Sequence, residues 1–287
     1  MSRKISYKIT TEYDKRKVLD LLKEKGYSHR LITKLKQEPD GLLLNGKHIR
    51  TVDLMQESDT LEVNIPDDKK ESISIPVEMP LDIIYEDDDL LIVNKPAMLA
   101  VHESHNHLGD TLSNAVAFYL SKKGKPATFR SVGRLDKGTS GIIVCALNKY
   151  TASKLSGRIY KEYLAVASSV FEGEGTIDAP IYRPDPIITV RTVDKRGEKA
   201  VTHWKALKSD GENTLLRIHL ETGRTHQIRV HFSHIGSALV GDTMYGRADS
   251  RICHQALHCC YCRFTHPVTN KIMEFEAEMP DDMKSIL

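Results

Sequence analysis

The residues best placed to do chemistry sit in one short stretch, Val132-Gly133-Arg134-Leu135-Asp136-Lys137-Gly138-Thr139-Ser140-Gly141. The apolar run Ile142-Ile143-Val144-Cys145-Ala146-Leu147 follows at once and reads as a buried strand, short, β-branched and closed by Asn148-Lys149. Polar residues and glycines directly before such a strand place Asp136 at its edge, where the backbone can turn sharply or approach a ligand closely. Two readings are open from these residues alone. Asp136 either caps a backbone amide in a connecting turn, or is a catalytic carboxylate with Arg134 near enough to hold its charge.

A second constellation is Glu221-Thr222-Gly223-Arg224-Thr225-His226-Gln227-Ile228-Arg229-Val230-His231. Thr225 is expected to cap a helix whose apolar face is Ile228, Phe232 and Ile235, with Gly236 at its stop. Arg224 and Arg229 then lie at and just inside a helix N-terminus, a place that attracts anions. A third candidate is Tyr163 in the strand Tyr160-Lys161-Glu162-Tyr163-Leu164-Ala165-Val166. On a strand such a tyrosine most often packs with its hydroxyl wet.

These stretches together resemble the RluA-type pseudouridine synthases. Arg134, Leu135, Asp136, Thr139, Ser140 and Gly141 match the Arg-Leu-Asp-x-x-Thr-Ser-Gly signature of that family. Lys161-Glu162-Tyr163 matches its Lys-x-Tyr element, and Gly223 to His231 is a near-complete copy of a further signature. Gly133 stands where most members have His, as it often does in the small-subunit-type synthases, and Ser237 also replaces a common His. The resemblance implies that Asp136 is the catalytic residue, that Arg229 pairs with it, and that Tyr163 lies beside the target base. A guanidinium suits that pairing because it can hold a carboxylate bidentately and keeps its charge. Arg134, Arg224, Thr225, Gln227, Lys161 and His102 are expected to contact RNA. Lys95 is either a substrate contact or a solvated strand end.

The chain length, 287 residues, allows one small and one medium domain. Residues 1–66 read as the small one. Val18, Leu21 and Leu22 recur at helical spacing before Gly26, and Ser28 caps a second helix with Leu31, Ile32 and Leu35 on one face. A strand with an Asn45-Gly46 hairpin turn and a last strand over 61–65 complete it. This order resembles the S-four-type RNA-binding domain, which implies RNA contact along the basic residues of the second helix. A structural cap with a solvated basic face is the alternative. The charge run and prolines over 67–76 read as a linker. Residues 77–287 form the catalytic domain, for which the resemblance implies an α+β fold: a mixed, mostly antiparallel sheet with flanking helices. Strands are expected over 83–85 and 90–93 around an acidic turn, and a helix capped by Asp110 or Thr111 and closed by Gly124 and Pro126.

Composition narrows the function classes. A net charge of +2 does not announce a polyanion partner by itself, so RNA binding depends on where the basic residues cluster. No apolar run is long enough for a membrane span and no signal peptide is evident, so a cytoplasmic protein is expected; a monomer is the expected state. Cys253, Cys259, Cys260 and Cys262 crowd with His254, His258 and His266, which invites zinc. Against it, a regular strand over 256–264 points Cys259 and Cys262 to opposite faces, and no Gly or Pro supplies a tight turn. We read these cysteines as small buried residues and expect no metal.

Pseudouridine formation breaks the bond between ring nitrogen and ribose, turns the uracil, and rejoins it through carbon 5. It changes no redox state, so no cofactor is expected, in keeping with the lack of a dinucleotide fingerprint or P-loop. It needs a carboxylate at the sugar, a stacking partner, and a way to extract the base. Asp136, Tyr163 and Arg134 answer these in turn. A serine hydrolase is excluded because Gly138-Thr139-Ser140-Gly141 is not the Gly-x-Ser-x-Gly elbow. A non-catalytic RNA-binding protein remains the rival reading. The substrate is expected to be ribosomal RNA of the large subunit, with tRNA as the alternative.

Overall fold

The computed structural model describes residues 3–66, 74–104, 107–125 and 129–287. Most of the expected linker, and Pro126, lie outside them. The N-terminal unit runs β1 (Arg3–Lys8), α1 (Val18–Glu24), α2 (His29–Leu35), β2 (Leu42–Leu44), β3 (Lys47–His48) and β4 (Thr60–Ile65). Its sheet is ordered β1-β4-β2-β3. The Ser28 side chain accepts from the Leu31 amide at 3.3 Å and so caps α2, while Asn45 and Gly46 turn the hairpin at φ +50° and +79°. Strand β1 escapes the sequence patterning because it buries only Ile5, which aligns with Val63 across the sheet.

The large unit begins with β5 (Asp82–Glu86), β6 (Leu90–Lys95), α3 (Leu112–Lys122), β7 (Arg130–Ser131), β8 (Ser140–Ala146), α4 (Lys149–Leu155) and β9 (Tyr160–Ala167). It continues with β10 (Glu174–Asp178), β11 (Ile181–Tyr182), β12 (Thr192–Val193), β13 (Val201–Ser209) and β14 (Thr214–Leu220). Helix α5 (Gln227–His234), β15 (Leu257–Thr265), β16 (Ile272–Glu276) and the short α6 (Asp281–Lys284) complete it. The sheet follows the order β10-β13-β14-β9-β15-β8-β6-β5, with β16 beside β15 and β7 beside β8. The β8–β15 pair is parallel, while β6, β9 and β14 join their neighbours antiparallel. The mixed, mostly antiparallel architecture is therefore the expected one.

Position in the sheet explains the residue patterns. Every residue of β8 is buried, so this central strand is apolar without alternation. Farther out, β14 alternates, with Leu216 and Ile218 in the core and Arg217 exposed between them. The β8–β15 contact is so close that a side chain at Gly141 would meet the Cys259 carbonyl oxygen at 2.2 Å, and Gly141 itself sits at φ +106°. Only glycine fits both constraints.

One cysteine expectation is corrected here. Strand β15 carries a bulge between Cys259 and Tyr261, and a bulge shifts the alternation by one residue. Cys259 and Cys262 therefore share a face and are both fully buried in the main core. Burial raises the pKa of both thiols, that of Cys262 to about 12. Neutral thiols in an apolar core are poor metal ligands. Among the described residues, the oxygen and nitrogen donors grouped closely enough for an ion are Asp87, Asp89 and His266, and the protein already occupies them. His266 pairs with Asp87 at 2.9 Å, and Asp89 accepts from both Arg3 and Asn148.

That same corner joins the two units. The Arg3 guanidinium grips Asp89 through Nε at 2.8 Å and Nη2 at 2.7 Å. Tyr150 of α4 belongs to the N-terminal core, its ring 4.4 Å from that of Tyr27 and its hydroxyl donating to the Lys25 carbonyl at 2.9 Å.

Gly141→Ala should lower stability by about 3 kcal/mol, since both the added carbon and the positive φ are penalised. Chemical denaturation of the purified variant measures this, and an unchanged midpoint would refute the close crossing.

Candidate active site

The loop between β7 and β8 is built to present Asp136. Leu135 is buried in the main core and anchors the loop from inside. The Thr139 amide donates to the Asp136 carbonyl at 3.0 Å and closes a tight turn. Gly138 lets the Gln255 amide approach closely, its Oε1 2.3 Å from where a Cβ would lie. Gln255 Nε2 donates to Thr139 at 3.1 Å and Ser140 bonds His258 at 2.8 Å, tying the start of β8 to the segment that leads into β15.

Lys95 supports this loop from behind, which corrects the expectation of a substrate contact or a solvated strand end. It is 0% exposed. Its ammonium donates to the carbonyls of Pro96 and Leu99 at 2.8 Å and of Lys137 at 3.2 Å. Burial pushes its pKa down to about 7, against the opposing pull of the Asp136 charge. A buried ammonium whose protons meet three carbonyls is a structural clamp.

Opposite stands α5, which starts later than expected. The cap is His226, at φ +58°, and not Thr225, whose hydroxyl accepts instead from Arg134 Nη2 at 3.3 Å. Ile228 and Phe232 are buried, whereas Ile235 lies at the helix end and is 42% exposed. Gln227 is drawn inward. Its oxygen accepts from Thr222 and from the Arg224 amide, and its nitrogen donates to the Val201 carbonyl and Thr202. With both ends engaged, Gln227 braces the helix start from the wall of the cleft.

Arg229 is the hinge of the site. Its Nε and Nη2 hold Asp242 bidentately at 2.7 and 2.9 Å, and the remaining Nη1 reaches Asp136 Oδ2 at 2.9 Å. The fork expected on Asp136 is thus spent on Asp242, and Asp136 receives one bond. Asp242 is itself almost fully buried and also accepts from the Met244 and Tyr245 amides. Burial opposes the guanidinium charge, but Asp242 first and Asp136 second outweigh it and raise the arginine pKa. The Tyr245 ring lies 5.0 Å from the guanidinium carbon and closes its other side. The Tyr245 hydroxyl bonds His226 Nδ1 at 2.8 Å, leaving His226 Nε2 3.8 Å from Asp136 Oδ1. Burial lowers the His226 pKa, with the Asp136 charge pulling the other way, so its ring is neutral near pH 7.

Between loop and helix lies a small cleft of about 70 Å³ lined by Arg134, Asp136, Tyr163, Arg224, His226 and Arg229 among others. Tyr163 enters from β9 and is 9% exposed. Burial first, with the Asp136 charge adding to it, raises its pKa well above the ordinary phenol value. A phenol so disfavoured as an anion offers its ring, not a base. Arg224 is braced at the rim by the Lys199 carbonyl at 3.0 Å and by Glu198. Lys161, two residues before Tyr163, extends its ammonium to 3.7 Å from the Cβ position of Gly133. His102 is displaced from the lining: it bonds Ser131 at 2.7 Å and packs edge-on against Phe129. Asp242, His226 and Tyr245 were given no role from the sequence. Their function depends on contacts that local spacing does not encode.

The family model described as RNA pseudouridylate synthase matches residues 89–234, a span that contains Asp136, Tyr163 and Arg229. The chain is 39% identical over 271 residues to the Bacillus subtilis protein named uncharacterized RNA pseudouridine synthase YjbO, covering 92% of this chain and 95% of that one. It is 36% identical over 268 residues to ribosomal large subunit pseudouridine synthase D of Haemophilus influenzae, covering 82% of each. Among solved structures, human RNA pseudouridylate synthase domain containing 1 superposes with a TM-score of 0.56 at 26% identity, covering 73% of this chain and 86% of that chain.

Asp242→Asn should lower kcat by at least about tenfold with little change in KM, because it frees Arg229 without touching the cleft. It should also cost about 3 kcal/mol of stability by leaving a buried guanidinium short of a counter-charge. Steady-state kinetics paired with denaturation check both, and unaltered kcat would detach Asp242 from catalysis.

Proposed function

This chain belongs to the RluA-type branch of the RNA pseudouridylate synthase family and isomerises uridine in RNA, and on that premise we propose that its substrate is large-subunit ribosomal RNA and its catalytic group the Asp136 carboxylate. The observation that carries the assignment of Asp136 is its bond to Arg229 at 2.9 Å at the wall of the cleft that also holds Tyr163. One carboxylate oxygen is engaged by the guanidinium, and the other lies on the side of cleft-lining His226. A carboxylate fixed in this way meets the ribose without first having to reorganise. Tyr163 supplies a flat face for the uracil, and Arg134 at the rim occupies the space the departing base leaves.

The choice of ribosomal RNA is supported by the name of the Haemophilus relative, which carries the large ribosomal subunit in it, and by the N-terminal unit. Arg30 and Lys34 of α2 crowd Lys149 of α4; burial and then these like charges push its ammonium down to about 8. Basic side chains that meet across the seam of the two units suit contact with a phosphate backbone. Because Tyr150 and Arg3 pin the units together, the second contact stands at a set distance from Asp136, which favours a large folded RNA. In this reading the protein works as a monomer in the cytoplasm. A tRNA is the second reading, since a fixed basic face could also grip its folded elbow.

Asp136→Asn should abolish turnover while RNA binding stays within about twofold, because the amide is isosteric but neither attacks nor accepts a proton. Residual activity within about tenfold of the parent would remove Asp136 from the chemistry. Tyr163→Phe should keep activity within about tenfold and Tyr163→Leu should lose far more, since stacking needs the ring and not the hydroxyl. Mapping pseudouridines in total RNA with and without the gene tests the substrate. A site lost only from tRNA would overturn the ribosomal choice.

A further inference from the structure

Strands β11 and β12 form a hairpin whose tip, residues 183–191, is held in an unusual way. Its stem is apolar and packs on α5: Ile181 and Ala200 cluster with Val230, the neighbour of Arg229, and Tyr245 covers them. The Arg191 amide donates to the Tyr245 hydroxyl at 2.9 Å, the same hydroxyl that bonds His226 beside Asp136. The hairpin therefore rises directly from the wall of the catalytic cleft. Ile187 and Ile188 lie four and three residues from that anchor, within about 14 Å of it even if the chain is fully extended.

At the tip, apolar side chains face water. Ile187 is 88% exposed, Ile188 44% and Val190 36%. The backbone beneath them is braced. Pro184 and Pro186 flank Asp185, whose carboxylate accepts the Ile187 amide at 2.7 Å. The Arg183 guanidinium donates to the carbonyls of Pro186 and Ile188, and Arg191 donates to those of Thr189 and Val190. Carbonyls are neutral, so both arginines keep their charge available to phosphates. A stiffened loop that spends its polar groups on presenting isoleucines to solvent, at the edge of a catalytic cleft, is shaped to enter something apolar.

The stacked bases of RNA are the apolar interior within reach. We propose that Ile187 and Ile188 are a wedge that enters the base stack beside the target uridine and holds open the gap from which that base leaves. Aliphatic side chains inserted between base steps unstack them at a cost of a few kcal/mol, which flanking cationic contacts offset. Arg183 and Arg191 bracket the wedge for that purpose. A second copy of the chain is a poor occupant, because three aliphatic side chains fall far short of the roughly 800 Å² per partner that a stable interface buries.

The proposal rests on RNA as the substrate and not on ribosomal RNA in particular. The probes are therefore transcripts of whichever RNA segment loses its pseudouridine when the gene is deleted. One transcript keeps the native pairing, and the other carries mismatches beside the uridine so that the base is already loosened. The Ile187→Ser, Ile188→Ser double variant should show kcat/KM about tenfold or more below the parent on the paired transcript, and the deficit should shrink to within about threefold on the mismatched one. Replacing both residues with Leu should restore the parental rate on the paired transcript. Equal losses on both transcripts would reduce the loop to a support of the cleft, and no loss on either would leave the isoleucines without a role in opening RNA. A change in sedimentation of the double variant would instead point to contact between copies. Each of these three results overturns the proposal.

Discussion

Everything at the site depends on how one guanidinium divides its donors. Arg229 gives its fork to Asp242, which nothing but protein touches, and a single N–H to Asp136, which faces the cleft. A buried arginine held by one carboxylate alone would swing between geometries. Two carboxylates on different segments hold it in one orientation and keep its charge, despite burial that disfavours it. Asp136 thus meets a counter-charge at a fixed position, and the buried half of the network bears the cost of fixing it. The left-handed His226, the Tyr245 ring and the α5 start all serve to keep that arginine where it is.

The second constraint is on the opposite wall. Asp136 can be presented only because the strand after it runs hard against β15 at Gly141, and because Lys95 collects three loop carbonyls from below. Neither feature touches the cleft. Both transfer the rigidity of the central sheet to a loop that would otherwise be free to move, which is how a carboxylate on a turn acquires the positional precision of one on a strand.

The N-terminal unit extends the same rigidity outward. A small domain tethered by a flexible linker would deliver RNA by raising its local concentration. One whose core shares Tyr150 with the catalytic unit, and whose first strand supplies Arg3 to Asp89, makes a continuous surface of fixed shape. Order at the seam lowers the entropy lost on binding a structured partner.

What could be read without coordinates was whatever local spacing encodes. Apolar runs located β6 and β8, the Asn45-Gly46 pair marked a hairpin, Ser28 announced a cap, and signature strings singled out Asp136, Tyr163 and Arg229. The tertiary structure decided what depends on partners distant in the chain. It showed that the Arg229 fork belongs to Asp242, that Gln227 turns inward, that Lys95 is a buried clamp and not a solvated end, and that a bulge puts Cys259 and Cys262 on one face. Strand β1 was invisible because a single buried isoleucine carries no period. The physical reason is common to all of these. A residue type and its neighbours determine which bonds a side chain is able to make, but which one it does make is settled by the carboxylate, carbonyl or helix that the fold brings to it.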